Sequence, residues 1–252
     1  VGLLRGVILM SRRRFFAPPG AFNSDNAILQ GDEARHLREV LRLKAGDTVN
    51  VFDGTGKEFR CTVGGMRRDE VSLENCVEVE AFKPESQLAL TLGVALLKGE
   101  KFDLVVQKAT ELGATAITPV TTRHADIHLR DASDAVKRVT RWRRIALEAA
   151  KQSGRAVVPE IEMPVTFDSF IQSGPGLRLM FSEREGTELG TNVGATAVRV
   201  LVGSEGGWSD QEITSAREAG WKIVTLGGRI MRAETAAIAV CVLLQNALGD
   251  LR

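Results

Sequence analysis

Cysteine is scarce in this chain: there are three among 252 residues, Cys61, Cys76 and Cys241, an odd number set far apart. That argues against a disulfide framework and against a clustered metal site, and it fits a reducing, cytoplasmic compartment. Surplus charge is also missing. With 33 Lys and Arg against 32 Asp and Glu the net charge is +1, so a nucleic-acid partner has to be met by a local patch. No stretch reads as a membrane anchor. The opening Val1–Met10 is apolar but interrupted by Arg5 and followed by Arg12-Arg13-Arg14, the reverse of the charge order in a signal peptide. It is expected to be an upstream extension, with Met10 as a natural start. The apolar tail Thr235–Leu244 is too short to span a bilayer. There is no internal repeat and no low-complexity tract. What is present is 44% hydrophobic, enough to bury one large core or two smaller ones.

The chain changes character near Pro84. Upstream, short β-branched segments are punctuated by glycine. Arg14–Ala17, Asn26–Gln30, Val49–Phe52, Glu58–Val63, Val71–Leu73 and Val77–Glu80 read as strands, with hairpin-type turns at Asp53-Gly54 and Gly64-Gly65. One helix, Asp32–Leu43, interrupts them, with Leu37, Val40 and Leu41 on one face. This predicts a small β-barrel over residues 10–82, after an extension over 1–9. Past a linker at 83–87, strands and helices alternate through 88–252. The strands are Leu88–Ala95, Ala116–Val120, Arg178–Phe181, Arg199–Gly203 and Lys222–Leu226. The helices are Lys101–Leu112, a long one to about Gly154, and a last one at Thr235–Leu248. Such alternation predicts an α/β domain on a mainly parallel sheet.

The familiar glycine loops are absent as well. Leu201-Val-Gly-Ser-Glu-Gly-Gly-Trp-Ser209 leaves a strand for a polar turn, yet Glu205 stands at the second glycine of a dinucleotide fingerprint and Val202 at the first glycine of a nucleophile elbow. Gly207-Trp208-Ser209 lacks the lysine of a phosphate loop, and the one Gly-Lys pair, Gly56-Lys57, is followed by Glu58. What remains is a turn in which Gly203, Gly206 and Gly207 permit positive φ or close approach of a ligand; the alternative is a plain βα turn with no ligand. Ser209 and Glu212 have the spacing of a capping box, so a helix is expected from Ser209 through about Ala219. A second loop, Leu226-Gly-Gly-Arg-Ile-Met-Arg-Ala-Glu-Thr-Ala236, also ends a strand and feeds a helix. Ligands of open α/β sheets bind at that edge, so the two loops are expected to share one pocket. The helix after the second loop is apolar on nearly all sides from Ala236 to Leu244, and must be buried in the domain or against another subunit. Arg229, Arg232 and Glu234 bring charge to its start. Surface salt bridging is the plainer account of them, but Glu234 and Thr235 fall where such a helix needs a cap.

These residues carry a resemblance. GSEGGWS and LGGRIMRAETA, with KFDLVVQKATELGATAITPV and RWRRIALEAAKQSGR upstream in order, resemble the RsmE family of SPOUT methyltransferases, which methylate a uridine of 16S, small-subunit ribosomal RNA at N3. RFF and HLREVLRLKAGDTVNVFDGTG resemble that family's PUA-like RNA-binding domain, and the likeness runs over nearly the whole chain from Arg14. The family usually has proline at Ser204 and leucine at Met231; the first change loosens the loop slightly and the second conserves volume. The resemblance implies a homodimeric trefoil knot whose two loops hold S-adenosylmethionine. It assigns cofactor contacts to Val202, Gly203, Glu205, Gly206, Gly207, Leu226, Gly227, Ile230, Met231 and Arg232, with Phe181 and Ser182 as a further pocket wall.

Methylation at uracil N3 needs an unpaired base that loses its proton, helped by a general base or by a cation that stabilises the anion. Arg232 is expected to be that cation. Glu234 would orient it or take the proton, and Glu205 is the other acid. For RNA, residues 123–155 hold nine basic against four acidic residues. Arg123, Lys137, Arg141, Arg144 and Lys151 are assigned to it, the last four on one helical face. Arg12, Arg13 and Arg14, with Arg35, Arg38 and Arg42, form a second patch. His124 and His128 have zinc-ligand spacing, but the glutamate of H-E-x-x-H is missing and only Asp126 is near, so no metal is expected. Trp142, at helical spacing with Ile145 and Ala149, is read as core. Two other functions stay open: a SPOUT enzyme acting on transfer RNA or a ribose 2′-hydroxyl, and a noncatalytic RNA-binding assembly factor.

Overall fold

A computed structural model describes residues 13–125, 127, 129–190 and 194–251. Met10, Arg12, Asp126 and His128 lie outside the described residues. The chain divides into two units. The first is the chain up to Glu85 together with Ala150–Val158, and the second is Ser86–Ala149 with Pro159 onward. Residues 150–158, which the alternation of elements assigns to the second domain, therefore pack with the first.

In the first unit the strands are β1 Arg14–Phe16, β2 Phe22–Asn23, β3 Asn26–Gln30, β4 Thr48–Phe52, β5 Glu58–Met66 and β6 Glu70–Val79, with a short helix α1 at Gly31–Arg35. They form one sheet in the order β1-β4-β5-β6-β3-β2. Alternate residues point inward, so Phe15, Leu29, Val49, Val51, Val63, Val71 and Leu73 form a core with Leu37. Among the described residues the ladder does not close into a ring; its ends are the shortest strands, three residues in β1 and two in β2.

Several local expectations change. Gly64-Gly65 is no turn but part of β5, at a register shift between Val63 and Met66 where the Gly65 amide donates to Ser72 Oγ; the chain reverses after Met66, where the Arg67 amide donates to the Glu70 carbonyl. The helix predicted over Asp32–Leu43 passes after α1 into a π turn, His36–Val40. The wider turn rotates the later residues, so Leu37 is buried while Val40 is 70% exposed. Cys61 and Cys76 form a disulfide, against the expectation from their number and spacing. The hairpin of β5 and β6 sets side by side two cysteines that are 15 residues apart in sequence.

Inside this unit Glu58 is fully buried and accepts hydrogen bonds from Arg14, from the Asn50 amide group and from the Phe82 backbone N–H. Arg14 also donates to the Arg155 carbonyl at 2.8 Å. Removing one member of such a buried pair costs about 3–5 kcal/mol, because the other charge is left uncompensated.

The second unit has strands β7 Ala89–Ala95, β8 Ala116–Thr121, β9 Glu160–Ile161, β10 Val165–Thr166, β11 Leu177–Phe181, β12 Thr187–Glu188, β13 Ala197–Val202 and β14 Lys222–Thr225. Its helices are α2 Lys101–Glu111, α3 Ala132–Ser153, α4 Phe167–Gln172, α5 Asp210–Glu218 and α6 Ala233–Leu248, of which α3 runs on into the segment that belongs with the first unit. The sheet order is β10-β8-β7-β13-β11-β14-β12, with β9 also on β8, and every pairing is parallel. A late strand, β13, thus lies between two earlier ones, β7 and β11. Among the described residues no helix is long and apolar enough to cross a membrane.

Cys241 is buried in α6, and burial pushes its thiol up to about 12, so it stays protonated and unreactive near neutral pH. Alkylation of the native protein at about pH 8 should therefore leave all cysteines unmodified. Denaturation should expose one thiol without reductant and three with it. Three reactive thiols without reductant would remove the disulfide.

Candidate functional site

Because the strands run in one direction, the carboxyl ends of β7, β8, β11, β13 and β14 share an edge of the sheet. Five connections leave it, at 96–100, 122–125, 182–186, 203–209 and 226–232. Register sets Phe181 beside both Val202 and Val224. The two glycine loops therefore leave on either side of the end of β11, with Phe181 and Ser182 buried between them.

The first loop is held from within the protein. Trp208 is 1% exposed, and its Nε1 donates to the Phe181 carbonyl at 2.7 Å. A Cβ on Gly203 would come within 3.2 Å of that indole, and one on Gly206 within 2.8 Å of the His124 carbonyl. Packing of protein on protein thus requires glycine at 206 and leaves little room for a side chain at 203. The Gly207 amide closes the turn by donating to the Ser204 carbonyl, and the buried Ser204 hydroxyl donates to the His124 carbonyl at 3.1 Å. That bond offsets the loosening expected of serine. The capping box is present: Ser209 Oγ accepts from the Glu212 amide while Glu212 accepts from the Ser209 amide. The other Glu212 oxygen accepts from the Arg123 amide, which ties the end of β8 to α5.

The second loop is open. Gly227 and Gly228 have φ of +65° and +70°, and nothing lies within 4 Å of where a Cβ would be. Leu226 and Met231 are half-buried, Arg229 and Arg232 are exposed, and Ile230 is 89% exposed. Arg232 is the N-cap of α6, its carbonyl accepting from the Ala236 amide, and its side chain has no hydrogen bond or ion pair among the described residues. The cap expected at Glu234 and Thr235 is therefore two to three residues too late. Glu234 sits in the first turn, where the helix dipole favours its anion. It is 9% exposed, and its Oε2 has no hydrogen-bond partner among the described residues.

The structure brings the two candidate acids together through a residue that sequence reasoning missed. Lys101 Nζ donates to Glu205 Oε1 at 2.6 Å and lies 3.9 Å from Glu234 Oε2. Its signal was its position: Gly99-Glu100-Lys101 follows β7 on the same ligand-bearing edge. Trp208 and Arg184 were missed too, Arg184 donating to the Trp208 carbonyl and pairing with Asp210. A cavity of about 260 Å³ adjoins the Lys101 segment, lined among others by Glu100, Phe102, Asp103, Arg138, Arg141 and Trp142. Trp142 is buried, packs on Phe102 with ring centres 4.2 Å apart, and donates to Asp103.

The basic residues separate. Arg123, Lys137, Arg141 and Arg144 are exposed. Arg141 hydrogen-bonds Asp103, and that bond with the carboxylate's charge raises its pKa further. Lys151 is instead turned onto Glu33 at 2.5 Å with a side chain only 14% exposed. In the first unit Arg13 pairs with Asp47, Arg35 with Asp32, and Arg38 with Glu39, while Arg42 is exposed. Arg14, at 6% exposure on buried Glu58, is withdrawn from any RNA-facing set.

Comparison with known proteins agrees with this layout. The model for an RNA methyltransferase domain matches residues 84–245, and that for an RNA methyltransferase PUA domain matches residues 29–74. The chain is 31% identical over 86% of its length to the ribosomal RNA small subunit methyltransferase E of Rickettsia conorii, covering 88% of it. It is 31% identical over 87% of its length to that of Aquifex aeolicus, covering 93% of it. Among solved structures, a ribosomal RNA small subunit methyltransferase E from Neisseria gonorrhoeae, bound to S-adenosyl methionine, superposes with a TM-score of 0.84 at 32% identity, over 95% of this chain and 99% of that one.

Trp208→Phe keeps the ring but leaves the Phe181 carbonyl without its donor. The variant should lose about 1–3 kcal/mol of stability, read as a lower urea midpoint at unchanged slope. An unchanged midpoint would show that the indole N–H contributes nothing.

Proposed function

This chain belongs to the RsmE family of ribosomal RNA small-subunit methyltransferases, and we propose that it methylates N3 of a uridine in 16S ribosomal RNA. It is a methyltransferase that uses S-adenosylmethionine, as its RNA methyltransferase domain and its likeness to a relative solved with that cofactor indicate. The observation that carries the N3 reading is the arrangement at the carboxyl edge. Two carboxylates, Glu205 and Glu234, meet there on Lys101, and Arg232, two residues before Glu234 at the N-cap of α6, is a cation with no hydrogen bond or ion pair among the described residues. That is the set needed to accept a proton from a weakly acidic ring nitrogen and to hold the anion left behind.

The site fits the cofactor. Gly227 and Gly228 leave bare backbone open after β14, whose Val224 lies beside the buried strand end Phe181, and the buried Glu234 oxygen has no hydrogen bond among the described residues. Val202, Gly203, Glu205, Gly206, Gly207, Leu226, Gly227, Ile230, Met231 and Arg232 would hold it. S-adenosylmethionine supplies an electrophilic methyl group. Arg232 stabilises the uracil anion as its charge develops, Glu234 or Glu205 takes the N3 proton, and Trp208 and His124 keep the first loop rigid. Arg123, Lys137, Arg141 and Arg144 in one unit, with Arg13, Arg38 and Arg42 in the other, track RNA phosphates. The protein acts in the cytoplasm, where ribosomal subunits are assembled.

A second copy completes the α6 face. The helix is apolar on nearly all sides, yet Val242 and Leu243 are each 41% exposed, as is Leu104 on α2, which packs against α6. A face of this kind is covered in a stable protein, and we assign it to a homodimer.

Incubating the protein with methyl-labelled S-adenosylmethionine and unmodified small subunits, then digesting the RNA, should put label in N3-methyluridine. Label in a ribose-methylated nucleoside would overturn the N3 reading. Arg232→Ala should slow single-turnover transfer about 100-fold or more with cofactor affinity changed only a few-fold; an unaltered rate would remove Arg232 from the mechanism. Val242→Asp should convert a dimer to a monomer in light scattering, and a wild-type monomer would refute the assignment.

A further inference from the structure

We propose that Lys101 is a positioning residue for methyl transfer: one ammonium holds Glu205 of the first glycine loop and Glu234 of α6 at a fixed separation. This deepens the reading above and rests on it. Lys101 begins α2 directly after Gly99 and Glu100, and the next residue, Phe102, is 1% exposed with Val105 and Val106 fully buried behind it. The backbone of Lys101 is therefore anchored, and its 32% exposed side chain reaches from a fixed base.

Glu234 and Glu205 come from connections that are far apart in sequence. With both ionised they repel across a partly dehydrated gap, and without Lys101 the buried Glu234 oxygen would lose the cation that lies 3.9 Å from it. An ammonium 2.6 Å from one carboxylate and 3.9 Å from the other offsets the repulsion and sets a positive charge near the buried oxygen without hydrogen-bonding it. Lysine suits the task, being a compact charge with three donors that can serve two acceptors. Because its charge is engaged by carboxylates, Lys101 is not the cation that meets the uracil anion. That role stays with Arg232, and Lys101 acts through the two acids.

The test compares wild-type protein with Lys101→Met, Lys101→Arg and Glu205→Gln, alone and combined with Lys101→Met. Each is assayed for transfer to small subunits and, by calorimetry, for S-adenosylmethionine binding. Lys101→Met should lower kcat about tenfold or more, with KM for subunits and Kd for the cofactor changed less than about threefold. Lys101→Arg should recover most of the rate. Adding Glu205→Gln to Lys101→Met should cost less than the product of the single losses, since both act on one contact. A Lys101→Met kcat within about twofold of wild type would overturn the proposal. So would independent, multiplicative losses, or collapse of cofactor binding in Lys101→Met and Lys101→Arg alike, which would make Lys101 merely structural. If wild-type protein labels a nucleoside other than N3-methyluridine, the N3 reading fails, while the rates for that nucleoside still decide the role of Lys101.

Discussion

The second unit depends on one constraint: all its strands point the same way, and β13 is laid between β7 and β11. A parallel sheet sends every strand-to-helix connection out of one edge, where the last backbone groups of each strand find no further ladder partner. Segments more than a hundred residues apart in sequence are thereby made neighbours. The insertion of β13 brings the 203–209 connection next to the one after β7, which is why a lysine at position 101 can reach a glutamate at position 205.

Charge is used differently at that edge and in the first unit. Glu58 and Arg14 are sealed from solvent and bonded to each other and to backbone, with Arg14 Nη1 the one polar atom of the pair left without a hydrogen bond among the described residues, an arrangement that specifies one packing. At the sheet edge the accounts stay open among the described residues: Glu234 keeps an oxygen without a hydrogen bond, Arg232 keeps its guanidinium unpaired, and Gly227 and Gly228 keep their backbone uncovered. Unmet polar capacity inside a buried setting is costly for a fold, and it persists where something else is to be held.

Much of this could be read from the chain. Alternating apolar runs marked the long strands and helices, and the Ser209-x-x-Glu212 spacing located a helix start to the residue, because a capping box is a purely local device. Both glycine loops were legible as connections at the carboxyl edge of the sheet. Other features escaped for physical reasons. Strands of two residues such as β9, β10 and β12 carry no period. The π turn at His36–Val40 breaks the spacing that periodicity assumes. The cysteine pair depends on strand register, and so does the bulge at Gly64-Gly65. Trp208 and Lys101 look like ordinary core and surface residues until the fold shows that one caps a strand end and the other stands between two acids.

The first unit is not contiguous, and this bears on how the chain is made. Its buried arginine donates to the carbonyl of Arg155, Glu85 accepts from the Arg155 side chain and from the Val157 amide, and Gly54 bridges Val157. Domains usually fold in the order in which they are synthesised. Here the amino-terminal unit lacks the Arg155 carbonyl and the Val157 amide until after Ser86–Ala149 of the other unit has been translated. A chain halted at the apparent domain boundary would therefore hold an unfinished first unit.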